Sequence, residues 1–246
     1  MRFSQWKIYL ILLFALAGFL FTASPGFAAV DRVICVPWQG DPLKFHTAIS
    51  NESARLKGVI KTTDTSMIWY KWVYGDGSES SVISEQGSLT YHVQADNTYS
   101  GAVGTPFTAK LVVADDSSFI STTIEDPYLV KLFENNQDAR INIAIDDGLW
   151  WLFNHTYTNS YFHTYDGSPF MVWTSTWGSA RYLAAPTASS VQAFAINNHK
   201  INGDPDEDPY VEAVQKGMNW LVQGYYSNRY NSYRMLRAVA ISDQHA

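Results

Sequence analysis

The fold is decided by residues 68–78, which read IWYKWVYGDGS. Ile68, Tyr70, Trp72 and Tyr74 occupy alternate positions, which is the period of a strand with one buried face. The Gly-Asp-Gly that follows predicts a tight turn, because glycine accepts positive φ and an aspartate carboxylate can accept hydrogen bonds from nearby backbone amides. The stretch therefore predicts a half-buried strand that ends in a structured turn.

Further strands are predicted on both sides of this one. Apolar residues alternate with mostly polar ones over residues 54–60 and again over residues 107–113. Turns rich in glycine, serine and aspartate separate the runs. From about residue 30 to residue 124 the sequence therefore predicts an antiparallel β-sandwich. The pattern changes after Asp126-Pro127, so we place this domain at residues 29–126.

Three blocks of this domain resemble the PKD (polycystic kidney disease) family. Residues 72–78 are similar to its Trp-x-Phe-Gly-Asp-Gly signature, with Tyr74 in the Phe position. Residues 89–91 and 104–115 follow in the order of that family's closing strands. The resemblance implies an Ig-like sandwich that acts as a spacer or interaction module in exported proteins.

Structural roles are expected for the signature residues. Trp72 is predicted to lie in the sandwich core. Gly75 and Gly77 are predicted to adopt positive φ in the turn. Asp76 is predicted to hold the turn rather than to catalyse a reaction, and no catalytic residue is assigned anywhere in the chain.

The C-terminal half carries a repeat with helical spacing. Residues 144–153 read AIDDGLWWLF, and residues 213–222 read AVQKGMNWLV. Small, aliphatic, glycine and tryptophan residues take the same places in both copies, which predicts two related helices. Trp151 and Trp220 are therefore expected at equivalent buried positions.

The glycines of the repeat, Gly148 and Gly217, also take equivalent places. Each costs about 1 kcal/mol relative to alanine in a helix, which predicts a compensating close approach between helices. In the first of these helices, an apolar stripe is predicted from residues at helical spacing: Ile141, Ile145, Leu149, Leu152 and Phe153.

Two more helical segments follow. Residues 188–195 predict a short helix, and a third helix is predicted to begin with Asp208 as N-cap and Pro209 in its first position. With the Gly-x-x-Trp-Leu helices, these segments resemble part of an α/α toroid of the prenyltransferase and squalene-cyclase class. The resemblance spans about residues 138–225. It implies an all-α, incomplete toroid-like repeat region at residues 127–246, in either a shortened relative or a fragment of a longer protein.

The N-terminus has the pattern of a signal peptide. Arg2 and Lys7 precede an uncharged apolar run at residues 8–21, and small residues favour cleavage after Ala28. An uncleaved anchor is the alternative, although the run is short for a membrane span. Removal of residues 1–28 predicts an extracellular, cell-surface or periplasmic protein without a stable membrane span.

Composition narrows the set of partners. The formal charge is −6, and Lys and Arg do not cluster, which argues against nucleic-acid binding. Cys35 is the only cysteine, so no internal disulfide can form, and we interpret it as a strand residue. The expected partners are other exported proteins, or surface glycans that stack on the aromatic residues between positions 150 and 182.

Alternating acids at residues 202–212 predict one metal site. Asp204, Asp206 and Asp208, with Glu212, resemble the start of a calcium loop, whose oxygens come from every second position. The alternative is an acidic helix N-terminus without metal, favoured by the helix dipole. No other cofactor is predicted.

Three histidines lack metal-site spacing. His155, His163 and His199 are interpreted as surface or capping residues.

The sequence leaves two functions open. The first is an exported, non-catalytic structural or interaction protein with a PKD-like module, active in adhesion or binding. The second is a fragment of an exported carbohydrate-active or other toroid-domain enzyme. An inward-facing acid paired with a second carboxylate or a tyrosine, in a concave aromatic groove, would favour the enzyme.

Overall fold

A computed structural model describes residues 30–36, 45–120, 123–158, 171–173 and 184–223. Its first part is a β-sandwich. The strands are β1 (Val30–Val36), β2 (His46–Ile49), β3 (Ser53–Thr62), β4 (Ile68–Val73), β5 (Ile83–Glu85), β6 (Thr90–Thr98), β7 (Pro106–Ala114) and β8 (Thr123–Phe133).

The two sheets have the strand order of an Ig-like sandwich. The three-stranded sheet runs β1-β3-β6, and the five-stranded sheet runs β2-β8-β7-β4-β5. Neighbouring strands are antiparallel except β2, which runs parallel to β8. The predicted sandwich is therefore confirmed, with one parallel pair at its edge.

An apolar core fills the space between the sheets. Trp72 is fully buried there, and its ring meets Tyr128 edge-on with 5.8 Å between centroids. The Tyr99 hydroxyl donates to the Tyr74 carbonyl at 3.1 Å, which satisfies a buried polar group. Fully burying one large apolar side chain contributes roughly 1.5–3 kcal/mol. The alternating residues of the three predicted strands supply most of this core.

The predicted domain boundary at Asp126-Pro127 is wrong, because both residues lie inside β8. Proline lacks a backbone N–H and is tolerated in a strand with one unpaired edge. Here β2 pairs with β8 only from Val130 onward. The Asp126 carboxylate accepts a hydrogen bond from the Cys35 N–H at 2.6 Å, so this residue joins the two sheets.

Three helices follow the sandwich in the described part of the chain. They are α1 (Gln137–Asn154), α2 (Ala184–Ile196) and α3 (Pro209–Gln223), and a two-stranded sheet pairs β9 (Thr156–Thr158) with β10 (Met171–Trp173). None of these helices is long and apolar enough to cross a membrane. Three helices do not by themselves make a toroid, so that arrangement stays a prediction.

Side-chain caps mark the helix starts. The Asn136 side-chain oxygen accepts a hydrogen bond from the Ala139 N–H at 3.0 Å at the start of α1. The predicted start of α3 is confirmed, because Asp208 Oδ1 accepts from the Tyr210 N–H at 2.9 Å and Pro209 is the first helical residue.

The helices pack on the outer face of the three-stranded sheet. Val36 and Val59 on this face are buried against the helices and form a second core with them. The three-stranded sheet is thus covered on both faces, which explains the almost continuous burial of β3. The helical side of this core comes from all three helices: Leu149, Trp150, Phe153, Val191, Phe194, Tyr210, Ala213, Val214 and Leu221.

The apolar stripe predicted for α1 is buried only in its second half, where Leu149 and Phe153 lie in this second core and Leu152 packs against it. Ile141 and Ile145 are exposed, whereas Leu149, Trp150 and Phe153 face the sheet. Charged and polar contacts of Asp146, Asp147 and Trp150 with the sandwich select this orientation.

The two copies of the repeat are not equivalent in burial. Trp220 packs against the second core and is mostly buried, whereas Trp151 is 50% exposed on the outer side of α1. The expected burial of Trp151 is therefore wrong. Gly217 is buried, but Gly148 is exposed, and a Cβ added there would meet no atom within 4 Å. The close approach predicted at Gly148 is therefore absent from the described structure.

Candidate functional site

A buried charge cluster joins β3 to α1. The Lys57 side chain has no solvent exposure, and its ammonium bonds to Asp146 Oδ2 and to Asp147 Oδ1, the latter at 2.8 Å. Lys57 lies opposite Val36 and Gln94 in the register, so all three occupy the outer face of the sheet. A buried ammonium needs such partners, because an isolated charge is costly in an apolar interior.

His46 extends the cluster toward the edge of the five-stranded sheet. It is 5% exposed, and its Nδ1 lies 3.4 Å from Asp146 Oδ2 and 3.1 Å from the Tyr128 hydroxyl. Burial lowers the pKa of His46 from its ordinary value; Asp146 opposes this shift and Lys57 reinforces it. The site therefore favours the neutral imidazole.

Tyr210 of α3 closes the cluster on the helical side. Burial raises its pKa well above the ordinary value, and the charges of Asp146, Asp208 and Asp147 act in the same direction. The Tyr210 hydroxyl and Asp146 Oδ1 are buried, and neither has a hydrogen-bond partner among the described residues.

More contacts fix the helices beside this cluster. Trp150 Nε1 donates to the Gln94 side-chain oxygen at 2.9 Å. The His92 ring stacks on Phe153 with 4.5 Å between centroids, and its Nδ1 lies 2.7 Å from Asn154 Oδ1. We call this contact of helices α1 and α3 with the outer face of β1-β3-β6 and with His46 of β2 the sandwich–helix interface.

The charge cluster attaches α1 to the sandwich. Asp146 and Asp147 are adjacent carboxylates near a tyrosine, which meets part of the criterion for an enzyme. However, both carboxylates bond to the Lys57 ammonium, which is itself inaccessible to solvent. Removing one partner of a buried ion pair leaves an uncompensated charge and costs about 3–5 kcal/mol. The three side chains therefore hold α1 against the sandwich.

The signature residues form a structured turn. Gly75 and Gly77 have φ of 80° and 96°, and a Cβ added to Gly75 would lie 2.4 Å from the Thr108 carbonyl oxygen. Asp76 Oδ1 accepts from the Ser78 N–H at 2.9 Å, and its Oδ2 accepts from Asn97 at 2.9 Å. Burial alone would raise the pKa of Asp76, but these hydrogen bonds outweigh it and lower the pKa.

The first two acids of the proposed calcium loop make contacts of their own. Asp204 Oδ1 accepts a hydrogen bond from the Asp206 N–H at 2.8 Å. The Asp206 carboxylate lies 3.1 Å from the Arg32 guanidinium on β1. This pair is exposed, so Asp206 faces the sandwich rather than a shared metal position.

The other two acids of that segment are also engaged. Asp208 is buried, and its Oδ2 lies 2.6 Å from His199 Nδ1. Glu212 bonds to Lys61 at 2.9 Å and also to Lys216. Over the residues that the structure describes, no three His, Cys, Asp or Glu side chains are arranged to hold a metal ion.

The three histidines interpreted from the sequence as surface or capping residues have different outcomes. His155 caps the end of α1 as predicted, with its N–H donating to the Trp151 carbonyl at 3.1 Å. The backbone N–H of His199 donates to the Phe194 carbonyl at 3.1 Å at the end of α2, so His199 lies in a helix cap as expected. Its ring is buried rather than at the surface, and it pairs with Asp208 beside Tyr210. His163 lies outside the described residues.

Sequence reasoning missed Lys57, Asp146, Asp147 and His46. Lys57 looked like a solvent-facing residue of an alternating strand. A signal was present in α1, where two adjacent acids interrupt an otherwise apolar stretch. The two acids do not indicate which residue they pair with, because Lys57 and Asp146 are 89 residues apart in the sequence.

Comparison with known proteins gives only structural similarities. No protein-family model and no curated protein matches the chain. One similar structure is the PKD domain of an M14-like peptidase from a Thermoplasmatales archaeon, with 13% identity and a TM-score of 0.30 over 44% of this chain and 96% of that one. Fibronectin(III)-like modules of Clostridium thermocellum CbhA give 12% identity and a TM-score of 0.27, over 41% of this chain and 45% of theirs.

A third similar structure is Spo0M, a sporulation control protein from Bacillus subtilis. It gives 10% identity and a TM-score of 0.23, over 62% of this chain and 69% of that chain. All three similarities concern fold alone. The assignment of an Ig-like sandwich rests on the strand order and pairing described above.

Proposed function

We propose that this chain is an exported structural or interaction protein whose PKD-like sandwich holds a helical region in place for contact with partners. The observation that carries the proposal is the fully buried Lys57, which bonds to two carboxylates of α1. An ion cluster of this kind favours a single relative position of sandwich and helices, because any displacement leaves a buried charge without its partner.

The turn of the sandwich supports a PKD-like module with a structural role. Trp72 lies in the inter-sheet core, and both oxygens of Asp76 accept hydrogen bonds within or beside the turn. These side chains are used to build the fold, as the resemblance implies.

The outward side of α1 is a surface on which a partner can bind. Trp151 is half exposed and stacks on His155 with 4.1 Å between ring centroids. Ile141 and Ile145 are exposed on the same helix. Tryptophan is enriched in the buried core of interfaces, and its flat indole offers a large apolar face to a protein or a sugar ring. The partners proposed are other exported proteins or surface glycans.

Export is proposed from the signal-peptide pattern at residues 1–28. The mature protein would be extracellular, at the cell surface or periplasmic. Mass spectrometry of the secreted fraction is expected to show Ala29 as the first residue. Recovery of intact Met1 from that fraction would exclude cleavage.

Binding and catalysis can be separated in one experiment. The mature chain is incubated with insoluble cellulose, chitin and xylan, and the assay records both the bound protein and the reducing ends released. We expect retention on at least one polysaccharide without release of reducing ends, and loss of retention in Trp151→Ala. The control is Trp69→Ala, which removes a half-buried indole from the five-stranded sheet.

Either of two results would overturn this assignment. Equal retention of wild type and Trp151→Ala would exclude that surface as a glycan site. Release of reducing ends that disappears in Asp146→Asn would favour the alternative, a fragment of a carbohydrate-active or other toroid-domain enzyme.

A further inference from the structure

One buried histidine lies where the sandwich meets α1. His46 belongs to β2, and its imidazole packs against the Tyr128 ring with 5.1 Å between centroids. Its Nδ1 lies between the Tyr128 hydroxyl and Asp146 of α1. Among the described histidines, His46 is the one paired with Asp146, whereas His199 contacts Tyr210 and pairs with Asp208. The protonation state of His46 therefore bears on how α1 is held.

A proton on His46 would be poorly compensated at this place. The nearest carboxylate oxygen, Asp146 Oδ2, already bonds to the Lys57 ammonium. Asp147 is turned partly toward solvent, where water screens its charge. Tyr128 and Tyr210 are neutral phenols in this environment. A second cation beside Lys57 would therefore be buried with little new attraction.

We propose that the sandwich–helix interface is an acid-sensitive joint, in which proton uptake by His46 weakens the docking of α1 onto the sandwich. The proposal goes beyond the proposed function and does not depend on the identity of the partner. Acid would loosen the helical region while the two-sheet sandwich keeps its own core.

The sign of the effect follows from proton linkage. Burial lowers the pKa of His46, so a released form with an accessible His46 binds more protons than the docked form once the pH falls below about 6.5. The docked form is fully favoured above that pH. Its advantage falls by up to about tenfold for each pH unit until the lowered pKa is reached.

A second titratable group faces the same interface and must be separated from His46. His92 on β6 stacks on Phe153, and desolvation lowers its pKa, while Asn154 and the charge of Glu212 oppose that shift. His92 is exposed at its edge, so a proton there keeps contact with water. We therefore assign the main response to His46.

Hydrogen–deuterium exchange of the mature chain at pH 7.5 and pH 5.5 tests the proposal, after correction for the intrinsic pH dependence of exchange. Peptides of α1 are expected to lose up to about tenfold in protection at the lower pH, whereas peptides of β4 and β7 keep theirs. His46→Asn should remove most of the difference. His155→Asn, the same change at an exposed histidine of the α1 cap, should leave it intact.

Three results would overturn the proposal: equal α1 protection at both pH values, equal loss in β4 and β7, or a response removed by His92→Asn and retained in His46→Asn. A measurement on the wild type does not depend on the folding of any variant. Proton NMR titration of the His46 ring is expected to give a pKa below 6.5. A value above 6.5 would mean that acid strengthens the joint.

Discussion

The two cores of this molecule are stabilised in different ways. Between the sheets, apolar and aromatic side chains such as Trp72 and Tyr128 fill the space almost alone. At the sandwich–helix interface, apolar residues lie beside a buried ammonium with its two carboxylate partners and a neutral histidine, and one of the carboxylates, that of Asp147, is partly exposed. The first core depends on local alternation within strands. The second depends on charge pairing between residues far apart in the chain.

The largest expected effect comes from removing the buried cation. Lys57→Met leaves Asp146 buried without its ammonium, and we expect the free energy of unfolding to fall by about 3–5 kcal/mol. Urea denaturation followed by tryptophan fluorescence measures the loss. A fall of less than about 1 kcal/mol would show that the cluster is not buried as described.

The double variant Lys57→Met/Asp146→Leu is the matched control. It removes both buried charges, and replacing a buried pair by apolar residues of similar volume is often neutral or stabilising. Asp147 is partly exposed and can be hydrated. We therefore expect the double variant to recover most of the stability lost in Lys57→Met. A double variant as unstable as the single one would contradict charge compensation as the cause.

Two adjacent tryptophans test the orientation of α1. Trp150 is buried and bonds to Gln94, whereas Trp151 is half exposed. Trp150→Ala should cost roughly 3–5 kcal/mol through cavity formation, and Trp151→Ala less than about 1 kcal/mol. Thermal and urea denaturation of both variants give the comparison. A larger loss of stability in Trp151→Ala than in Trp150→Ala would support the burial of Trp151 that the repeat predicts.

The two glycines of the sandwich turn differ in a similar way. Both have positive φ, so alanine at either one costs about 1–2 kcal/mol of backbone strain. Gly77 faces open space, but a Cβ at Gly75 would also collide with the Thr108 backbone. Gly75→Ala should therefore destabilise clearly more than Gly77→Ala in urea denaturation. Equal losses of stability in the two variants would show that the steric contact at Gly75 adds no destabilisation of its own.

These pairs show what the sequence could predict. The alternation from Ile68 to Tyr74 specifies the inner face of β4, because a period of two leaves only one face for the apolar residues. The φ of Gly75 and the N-cap role of Asp208 are equally local, and both are confirmed.

The orientation of α1 was not predictable in the same way. Its sequence is compatible with two orientations, one that buries Ile141 and Ile145 with the rest of the predicted stripe and one that buries Trp150 together with Leu149 and Phe153. The choice between them depends on Asp146 reaching Lys57, a tertiary contact that no local pattern encodes. The predicted end of the sandwich at residue 126 falls short of the end of β8 for a similar reason: the open edge that tolerates Pro127 exists only in the assembled sheet.

Glu212 provides a smaller, pH-dependent test of the second core. Burial would raise its pKa, but the hydrogen bonds from Lys216 and Lys61 outweigh this and lower it from 4.5. Its stabilising contribution is therefore complete above pH 4.5 and is lost as pH falls through the lowered pKa. Glu212→Gln should flatten the stability profile below that pH in acid titrations. Parallel profiles of variant and wild type would exclude this contribution.

The smallest expected effect concerns Asp206, at the exposed rim of the same interface. Its ion pair with Arg32 is accessible to solvent, and exposed pairs contribute about 0.2–1 kcal/mol. Asp206→Asn should therefore lower the free energy of unfolding by less than about 1 kcal/mol, and 0.5 M salt should reduce the difference.

The same variant tests the calcium hypothesis, since an oxygen ligand that loses its charge weakens a calcium site. Because Asp206 faces Arg32 while Asp208 is held by His199, we expect calorimetry with millimolar calcium to give the same heat for both proteins. A binding heat in the wild type that Asp206→Asn abolishes would show that the acidic segment rearranges around the ion.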